Sequence, residues 1–430
     1  MKTLLKKIIA KVLEWEARLV LRKYKPKIVA VTGNVGKTST KDAIYSILKV
    51  AFFVRKSEKS FNTDIGIPLT ILGCPNAGLN PFGWLKNFWY GLEAVFFRQE
   101  FPTWLVLEVG ADRPGDIENI ARWLKPDVVV VTRFSAVPVH VEFFKSREHL
   151  IKEKGYLVKA VKSDGVLVLN YDDPDVMDFK KNCTNRLVTF GFNDGADIAG
   201  SHIRVTYENE KPSGISFKVN VGGSSIPVSL PRVLGLQHLY PVIAAVAVGA
   251  SQNINMVDIS QALMSHVPPR GRMNIIDGKN DSIVIDDTYN ASPVALHEAL
   301  QAFKEVTVSG RKIACLGDMM ELGKYSIEEH TKAGEEAAKI ASILLTVGVR
   351  SRYIREGASK AGMKEENIIS FGTSIEAGQY LSEIIGKGDL ILVKGSQSIR
   401  MERCVEKIMA HPEDKEKLLV RQEAEWLSRI

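Results

Sequence analysis

The sequence predicts an α/β protein: a P-loop central domain on a mostly parallel sheet, followed by a C-terminal Rossmann-like α/β domain. Three observations carry this. Short apolar runs alternate with segments of helical periodicity along most of the 430 residues, the pattern of parallel strands joined by crossover helices. One such run, Val29–Ala30–Val31–Thr32, enters a glycine-containing turn that continues into Gly36–Lys37–Thr38 and a helix. The alternation then pauses at Pro268–Pro269–Arg270–Gly271 and restarts beyond it, as a linker between two domains would. The predicted division is a helical arm over 1–25, a central domain over 26–267 and a C-terminal domain over 268–430.

The arm comes first and holds the chain's charge. Nine lysines and arginines against Glu14 and Glu16 give residues 1–27 a charge of +7, equal to that of the whole chain. The remainder is neutral, which excludes a basic groove for nucleic acid in the body of the protein. Leu5, Ile8, Val12, Trp15 and Leu19 recur at three- and four-residue steps and predict an amphipathic helix. Glu14 and Glu16 interrupt any signal-peptide core, and no run is long enough to span a bilayer. A second unusual stretch, residues 81–97, is rich in aromatics. Two readings stay open for both segments: packing on the protein's own surface, or peripheral attachment to an anionic membrane.

The strands follow in order at Ile28–Thr32, Trp104–Val109, Asp127–Thr132 and Val166–Leu169, with helices from Lys37 and over Ser146–Val161. Ile203–Thr206, Ile215–Val221 and Ile226–Leu230 alternate apolar with polar residues, which predicts an antiparallel insertion. A helix over His238–Ala250 closes this half. Beyond the linker come strands at Ile283–Asp286, Lys312–Leu316, Ser342–Thr346 and Leu390–Val393. The four cysteines are far apart, with no CxxC pair, so a disulfide framework or zinc site is not expected and a reducing cytoplasm is.

The sharpest motif is the turn itself. Gly33, Asn34, Val35, Gly36, Lys37, Thr38 and Ser39 join an apolar strand to a helix start. Glycines let the backbone approach phosphate, the N–H groups at the helix start point at it, Lys37 neutralises phosphate oxygens and the Thr38 hydroxyl suits Mg²⁺. The strict template has glycine at position 31, where Val31 stands.

With this turn, TGNVGKTS, the chain resembles the Mur ligase family and its shortened phosphate loop. SFNTDIGIPLT (60–70), LEVGADRPGDI (107–117), IDDTYNASP (285–293), LGDMMELG (316–323) and LVKGSQS (392–398) follow in order. These segments resemble the branch that adds D-alanyl-D-alanine. The resemblance implies an ATP-dependent ligase that joins a peptidyl cell-wall precursor to D-alanyl-D-alanine through an acyl-phosphate. It implies ATP and two Mg²⁺ ions, with Glu108 and His140 as metal ligands beside Thr38. It makes Lys154, rather than the neighbouring Lys152, a carbamylated lysine facing the metals. Arg272 then reaches the nucleotide phosphates, and Asp287 holds the ATP ribose. Asn62, Thr63 and Asp64 contact the acceptor, while Asn290, Asp318, Glu321, Lys394 and Ser396 line the dipeptide pocket.

Departures accompany the match. Gln237, His238 and Pro241 stand where the family has a His-Asn pair and a later Asn, and Asn34–Val35 replaces the common Ser/Thr-Asn pair. Family members carry an N-terminal domain that grips a UDP-linked sugar, whereas residues 1–25 read as a single basic helix. Either another surface or another protein then binds the uridine nucleotide, or the acceptor is lipid-linked at the membrane face. A cytoplasmic monomer, with residues 1–25 and 81–97 as its membrane-facing segments, is the corresponding expectation. A bare nucleotide switch would need neither the second α/β domain nor two separated metal-binding segments.

Overall fold

The computed structural model describes residues 2–58, 61–78, 80–134, 144 and 146–428. Helix α1 (Lys2–Tyr24) leads into β1 (Lys27–Thr32), α2 (Lys37–Leu48), β2 (Val54–Lys56), α3 (Gly66–Leu72), α4 (Pro81–Phe96) and β3 (Trp104–Glu108). Next come α5 (Asp116–Ala121), β4 (Val128–Val131), α6 (Arg147–Lys159), β5 (Val166–Asn170), the short α7 (Pro174–Met177) and β6 (Arg186–Gly191). β7 (Ile198–Glu208), β8 (Lys211–Val221) and β9 (Ser224–Pro231) precede α8 (Leu239–Ser251) and α9 (Met256–Met264).

These strands form one sheet in the order β2-β3-β1-β4-β5-β6-β7-β8-β9. Its central strands are apolar at nearly every position because both faces are covered. Val29 and Val31 of β1 join one core with Ile44 and Ile47 of α2 and the largely apolar α8. Ile28 and Ala30 face the other core, with Leu13 of α1, Ile67 of α3, Ile117 of α5 and Leu157 of α6. The three-residue β2 is too short, and in β6 Arg186 and Thr189 interrupt the apolar run, so neither is read in the sequence.

The antiparallel segment is not an insertion. β7 pairs parallel with β6 through Phe190↔Ile198 and Gly191↔Ala199, and only then do β8 and β9 add antiparallel. The strands therefore extend the central sheet to nine.

α1 packs by a side other than the stripe read from the sequence. The buried side is Ala10, Leu13, Ala17 and Val20, set against α3 and α4. The stripe read from sequence faces outward, with Leu5 59%, Ile8 51% and Trp15 52% exposed. Both sides of the helix are apolar, and periodicity alone does not say which one the body covers. α4 contributes Gly91 to this contact, where an added Cβ would lie 2.1 Å from Glu16 Oε2. That oxygen is buried without a hydrogen-bond partner among the described residues, and burial pushes the carboxyl up to about 7.

The second sheet is built from β10 (Asn274–Asp277), β11 (Ile283–Asp287), β12 (Lys312–Gly317), β13 (Ile343–Val347), β14 (Ile368–Phe371) and β15 (Leu390–Lys394). Their order is β10-β11-β15-β12-β13-β14, parallel except for β10 against β11. α10 (Pro293–Glu305), α11 (Ser326–Ala337), α12 (Arg352–Lys360), α13 (Ser374–Ile384) and α14 (Glu402–Ile408) complete it. In the linker, Gly271 takes φ 66, and a Cβ there would stand 3.0 Å from the Tyr289 amide. Leu234 N donates to Met273 O at 3.1 Å and Ile275 N to Arg232 O at 2.8 Å, so the strand entering the second sheet leans on the first half. Arg133 pairs with Glu298 across the same junction. Among the described residues no helix is long and apolar enough to cross a membrane.

Candidate active site

The phosphate loop sits where β1 ends. Gly33 takes φ +135, and a Cβ on it would fall 2.0 Å from Thr132 Oγ1. Asn34 N donates to Arg133 O at 2.8 Å, and Thr132 Oγ1 donates to Val35 O at 2.7 Å. The loop is thus seated on the residues that leave β4, and only glycine permits so close an approach. Gly36, at φ 86, begins α2. Lys37 Nζ donates to Gly33 O at 3.0 Å and Asn34 O at 3.3 Å. Ser39 is buried behind it.

Glu108 ends β3, next to β1, with Val31 opposite it. Its Oε2 accepts from Thr38 Oγ1 at 2.9 Å and its Oε1 from Asn62 Nδ2 at 3.1 Å. Asn62 is itself fixed, because Gly110 N donates to its carbonyl at 3.0 Å. Three segments far apart in sequence therefore converge on one carboxylate. Thr63 Oγ1 accepts from Gly66 N at 3.4 Å, and Asp64 lies exposed beside it.

Lys154 is buried on α6, whereas Lys152 is exposed. Burial holds Lys154 well below the ordinary lysine value, and the charge of Lys37 lowers it further against the pull of Glu153, Glu108 and Asp112. Burial likewise lowers Lys37, with Glu108 opposing and Arg272 adding to the fall. The neighbouring Glu153 is committed elsewhere: it accepts from Gly115 N at 3.0 Å, Ile117 N at 2.8 Å and Glu118 N at 3.1 Å, holding the start of α5. His140 lies outside the described residues.

The donors at hand fit a hard divalent cation. A hydroxyl and a carboxylate stand together beside a phosphate cradle, the oxygen set Mg²⁺ takes while keeping other positions for phosphate and water. Among the described residues no three of His, Cys, Asp and Glu gather as a metal site.

From the second sheet, Arg272 lies close enough to shift Lys37, and its guanidinium stacks 4.2 Å from the Tyr289 ring centroid. Arg272 Nε is buried without a partner among the described residues. His238 Nε2 donates to Arg272 O at 2.5 Å, and burial holds this ring at about 4, neutral at physiological pH. Asp287 and Lys394 come together as a buried pair at 2.6 Å, and Lys394 also donates to Asn290 O at 3.0 Å. Asp318 accepts from Ser351 N at 2.7 Å, and Ser396 Oγ accepts from Met320 N at 2.9 Å. Asn290 and Glu321 are exposed above them. The sequence-predicted residues thus form a first group around Glu108 and a second at the carboxyl edge of the second sheet, where ligands of such sheets bind.

Sequence reasoning missed a cleft beside the loop, lined by Val35, Thr132, Asn170, Phe190, Gln237 and Tyr240. Asn170 Nδ2 and Gln237 Oε1 are both buried there without partners among the described residues. The cleft thus presents one free donor and one free acceptor beside Phe190 and Tyr240. The position of Asn170 at the end of β5 was the available signal.

The Mur ligase middle-domain model matches residues 90–249, and that of the Mur ligase glutamate ligase domain matches residues 271–397. The chain is 28% identical over 398 residues to UDP-N-acetylmuramoyl-tripeptide–D-alanyl-D-alanine ligase of Bacillus subtilis, covering 92% of this chain and 79% of that one. It is 28% identical over 386 residues to the ligase of the same name from Escherichia coli, covering 88% and 76%. Among solved structures, MurF ligase from Thermotoga maritima in complex with ADP superimposes with a TM-score of 0.75 at 26% identity, covering 95% of this chain and 84% of that one.

Proposed function

The chain belongs to the Mur ligase family, and we propose that it is the ATP-dependent ligase that joins UDP-N-acetylmuramoyl-tripeptide to D-alanyl-D-alanine in peptidoglycan precursor synthesis. The observation that carries this reading is the convergence of Thr38, Asn62 and Glu108 beside the phosphate loop, with buried Lys154 next to them. ATP transfers its γ-phosphoryl group to the terminal carboxylate of the precursor, giving an acyl-phosphate and ADP. The amine of D-alanyl-D-alanine attacks the acyl carbon, and the tetrahedral adduct expels phosphate and loses the amine proton. Two anions must approach each other in the first step, so cationic groups dominate the site.

Each side chain has a part in that. Lys37 draws the transferring phosphate, and Arg272 reaches across the domain junction to the same charge. Mg²⁺, when bound, supplies the remaining neutralisation of the phosphate oxygens. Thr38 and Glu108 would hold the ion, with His140 as a further ligand, and Asn62 fixes the rotamer of Glu108. Asp287 takes the ribose, and the cleft of Asn170 and Gln237 takes adenine. Asn62, Thr63 and Asp64 face the acceptor, while Asn290, Asp318, Glu321, Lys394 and Ser396 surround the dipeptide. The working division is 1–25, 26–267 and 268–430, acting as a monomer.

Lys154 we assign as a carbamate. Its lowered pKa populates the free amine, the form that adds CO₂ with release of a proton and leaves an anion facing the metal. A ¹³C signal from protein equilibrated with ¹³C-bicarbonate, absent in Lys154→Arg, tests this.

The decisive experiment is phosphate release from ATP and Mg²⁺ with the UDP-linked tripeptide, with and without D-alanyl-D-alanine. Release that requires both, with a matching mass gain in the product, supports the reading; release independent of either refutes it. A second reading, a lipid-linked acceptor at an anionic membrane face, is favoured by one observation. The outer sides of α1 and α4 expose Leu5, Ile8, Trp15, Phe82, Leu85, Trp89 and Phe96 among the lysines and arginines of residues 1–27. Scattered apolar residues are ordinary, but this many on two adjoining helices is the signature of an interaction surface.

A further inference from the structure

Between α1, α3 and α4 lies a cavity of about 790 Å³, a volume that suits a drug-sized ligand. Its walls include Lys6, Ile9, Phe61, Thr63, Leu69 and Trp84. Two of these lining residues, Phe61 and Thr63, flank Asn62, the side chain that fixes Glu108. The α1 and α4 walls continue outward into the exposed apolar faces, where Leu5 is 59% and Leu85 68% exposed. The cavity therefore lies between the segment that carries Asn62 and the outer apolar surface.

Its walls are mainly apolar, and several of its few polar atoms already have partners. Trp84 Nε1 donates to Gly78 O at 3.0 Å, Thr63 Oγ1 accepts from Gly66 N at 3.4 Å, and Asn76 Oδ1 accepts from Gly78 N at 2.9 Å. A uracil or ribose placed here would set most of its donors and acceptors against Ile9, Phe61, Leu69 and Trp84, and desolvating unmatched polar groups opposes binding. A hydrocarbon chain meets no such penalty. Lys6, with Lys7 and Lys11 on the same exposed helix, supplies a cation for an anionic head.

We propose that this cavity seats the hydrocarbon chain of an amphiphilic acceptor whose phosphate meets Lys6, between the outer apolar face and the segment of Phe61, Asn62 and Thr63. The proposal deepens the second reading above and rests on it. A site of this kind measures chain length. Each methylene withdrawn from water strengthens binding about fourfold, until the cavity is full.

The test is calorimetric titration of the full chain with hexyl, octyl and decyl phosphate below their micelle concentrations, with inorganic phosphate, UMP and phosphatidylglycerol vesicles in parallel. The expected result is a steep rise in affinity along the alkyl series and no displacement of decyl phosphate by inorganic phosphate or UMP. Ile9→Trp, which fills the cavity from a half-buried helix position, lowers decyl phosphate affinity at least tenfold, and Lys6→Glu lowers it severalfold. ADP binding serves as the folding control for both variants. Affinity independent of chain length overturns the proposal, as does Ile9→Trp binding decyl phosphate like the parent. UMP competing for the cavity would assign it to a nucleotide instead. Vesicle binding without decyl phosphate binding would assign the face to surface docking alone. Phosphate release is measured separately, so loss of ligase activity with intact alkyl phosphate binding would sink only the assigned reaction.

Discussion

Replacing Glu108 by Gln keeps the shape of the side chain and removes its charge. In the parent, the carboxylate accepts from Thr38 at 2.9 Å and from Asn62 at 3.1 Å. Gln keeps one oxygen for Asn62 and can only donate its N–H to the Thr38 hydroxyl, so both bonds lose their charge assistance. Bonds of this charge-assisted kind contribute about 1.5–3 kcal/mol each. The larger effect falls on the metal, which loses the carboxylate of Glu108. We expect the gain in ADP affinity produced by Mg²⁺ to fall at least tenfold, about 1.4 kcal/mol, and ligase turnover to fall by about 10²–10³. Glu108 also raises Lys37 and Lys154, so its removal lets both drop further. ADP needs Lys37 as an ammonium, and affinity declines as pH rises through that group. The decline should therefore begin at lower pH in Glu108→Gln than in the parent. Calorimetric titration of ADP with and without Mg²⁺ across a pH series measures both effects. An unchanged Mg²⁺ gain in the variant would refute the assignment of Glu108 as the ion's ligand.

Gly33→Ala should abolish ADP binding while circular dichroism stays native, because a Cβ at φ +135 would stand 2.0 Å from Thr132 Oγ1. Lys394→Ala strands Asp287 in the interior, and loss of one member of a buried pair costs about 3–5 kcal/mol. Urea denaturation should show this, with Asp287→Leu/Lys394→Met close to the parent. Asn170→Ala and Gln237→Ala should each narrow the preference for ATP over GTP about tenfold, read as relative affinities of ADP and GDP. Glu16 has its folded pKa raised from 4.5 to about 7, so the folded state binds the extra proton between those values and stability falls as pH rises through this window. Glu16→Gln removes that slope and stabilises above pH 7 by up to roughly 3 kcal/mol, and thermal melts at acid and alkaline pH would reveal it.

Local chemistry was legible in the sequence wherever neighbours in the chain are also neighbours in space. The phosphate loop is of this kind: the strand, the glycines, Lys37 and Thr38 occupy one short segment, and their spacing alone fixes strand, turn and helix. The alternation of apolar runs and helical patterns fixed the α/β class for the same reason, since periods of two and 3.6 are local properties of a chain. Lys154 and Lys152 were distinguished by resemblance alone, and burial then set them apart, because which side of α6 meets the loop depends on the packing of α5 and α6. The partners of Glu108 come from segments many residues away, and no spacing rule connects Asn62 to it. Asp287 and Lys394 look like independent pocket residues until β11 and β15 are paired in register, which sets them side by side. The outward face of α1 was the stripe that periodicity picked out, while the body covers the opposite side. A helix with two apolar sides leaves that choice to the surfaces it meets, so composition and period determined that α1 is a helix, and only the tertiary fold decided which side looks at solvent.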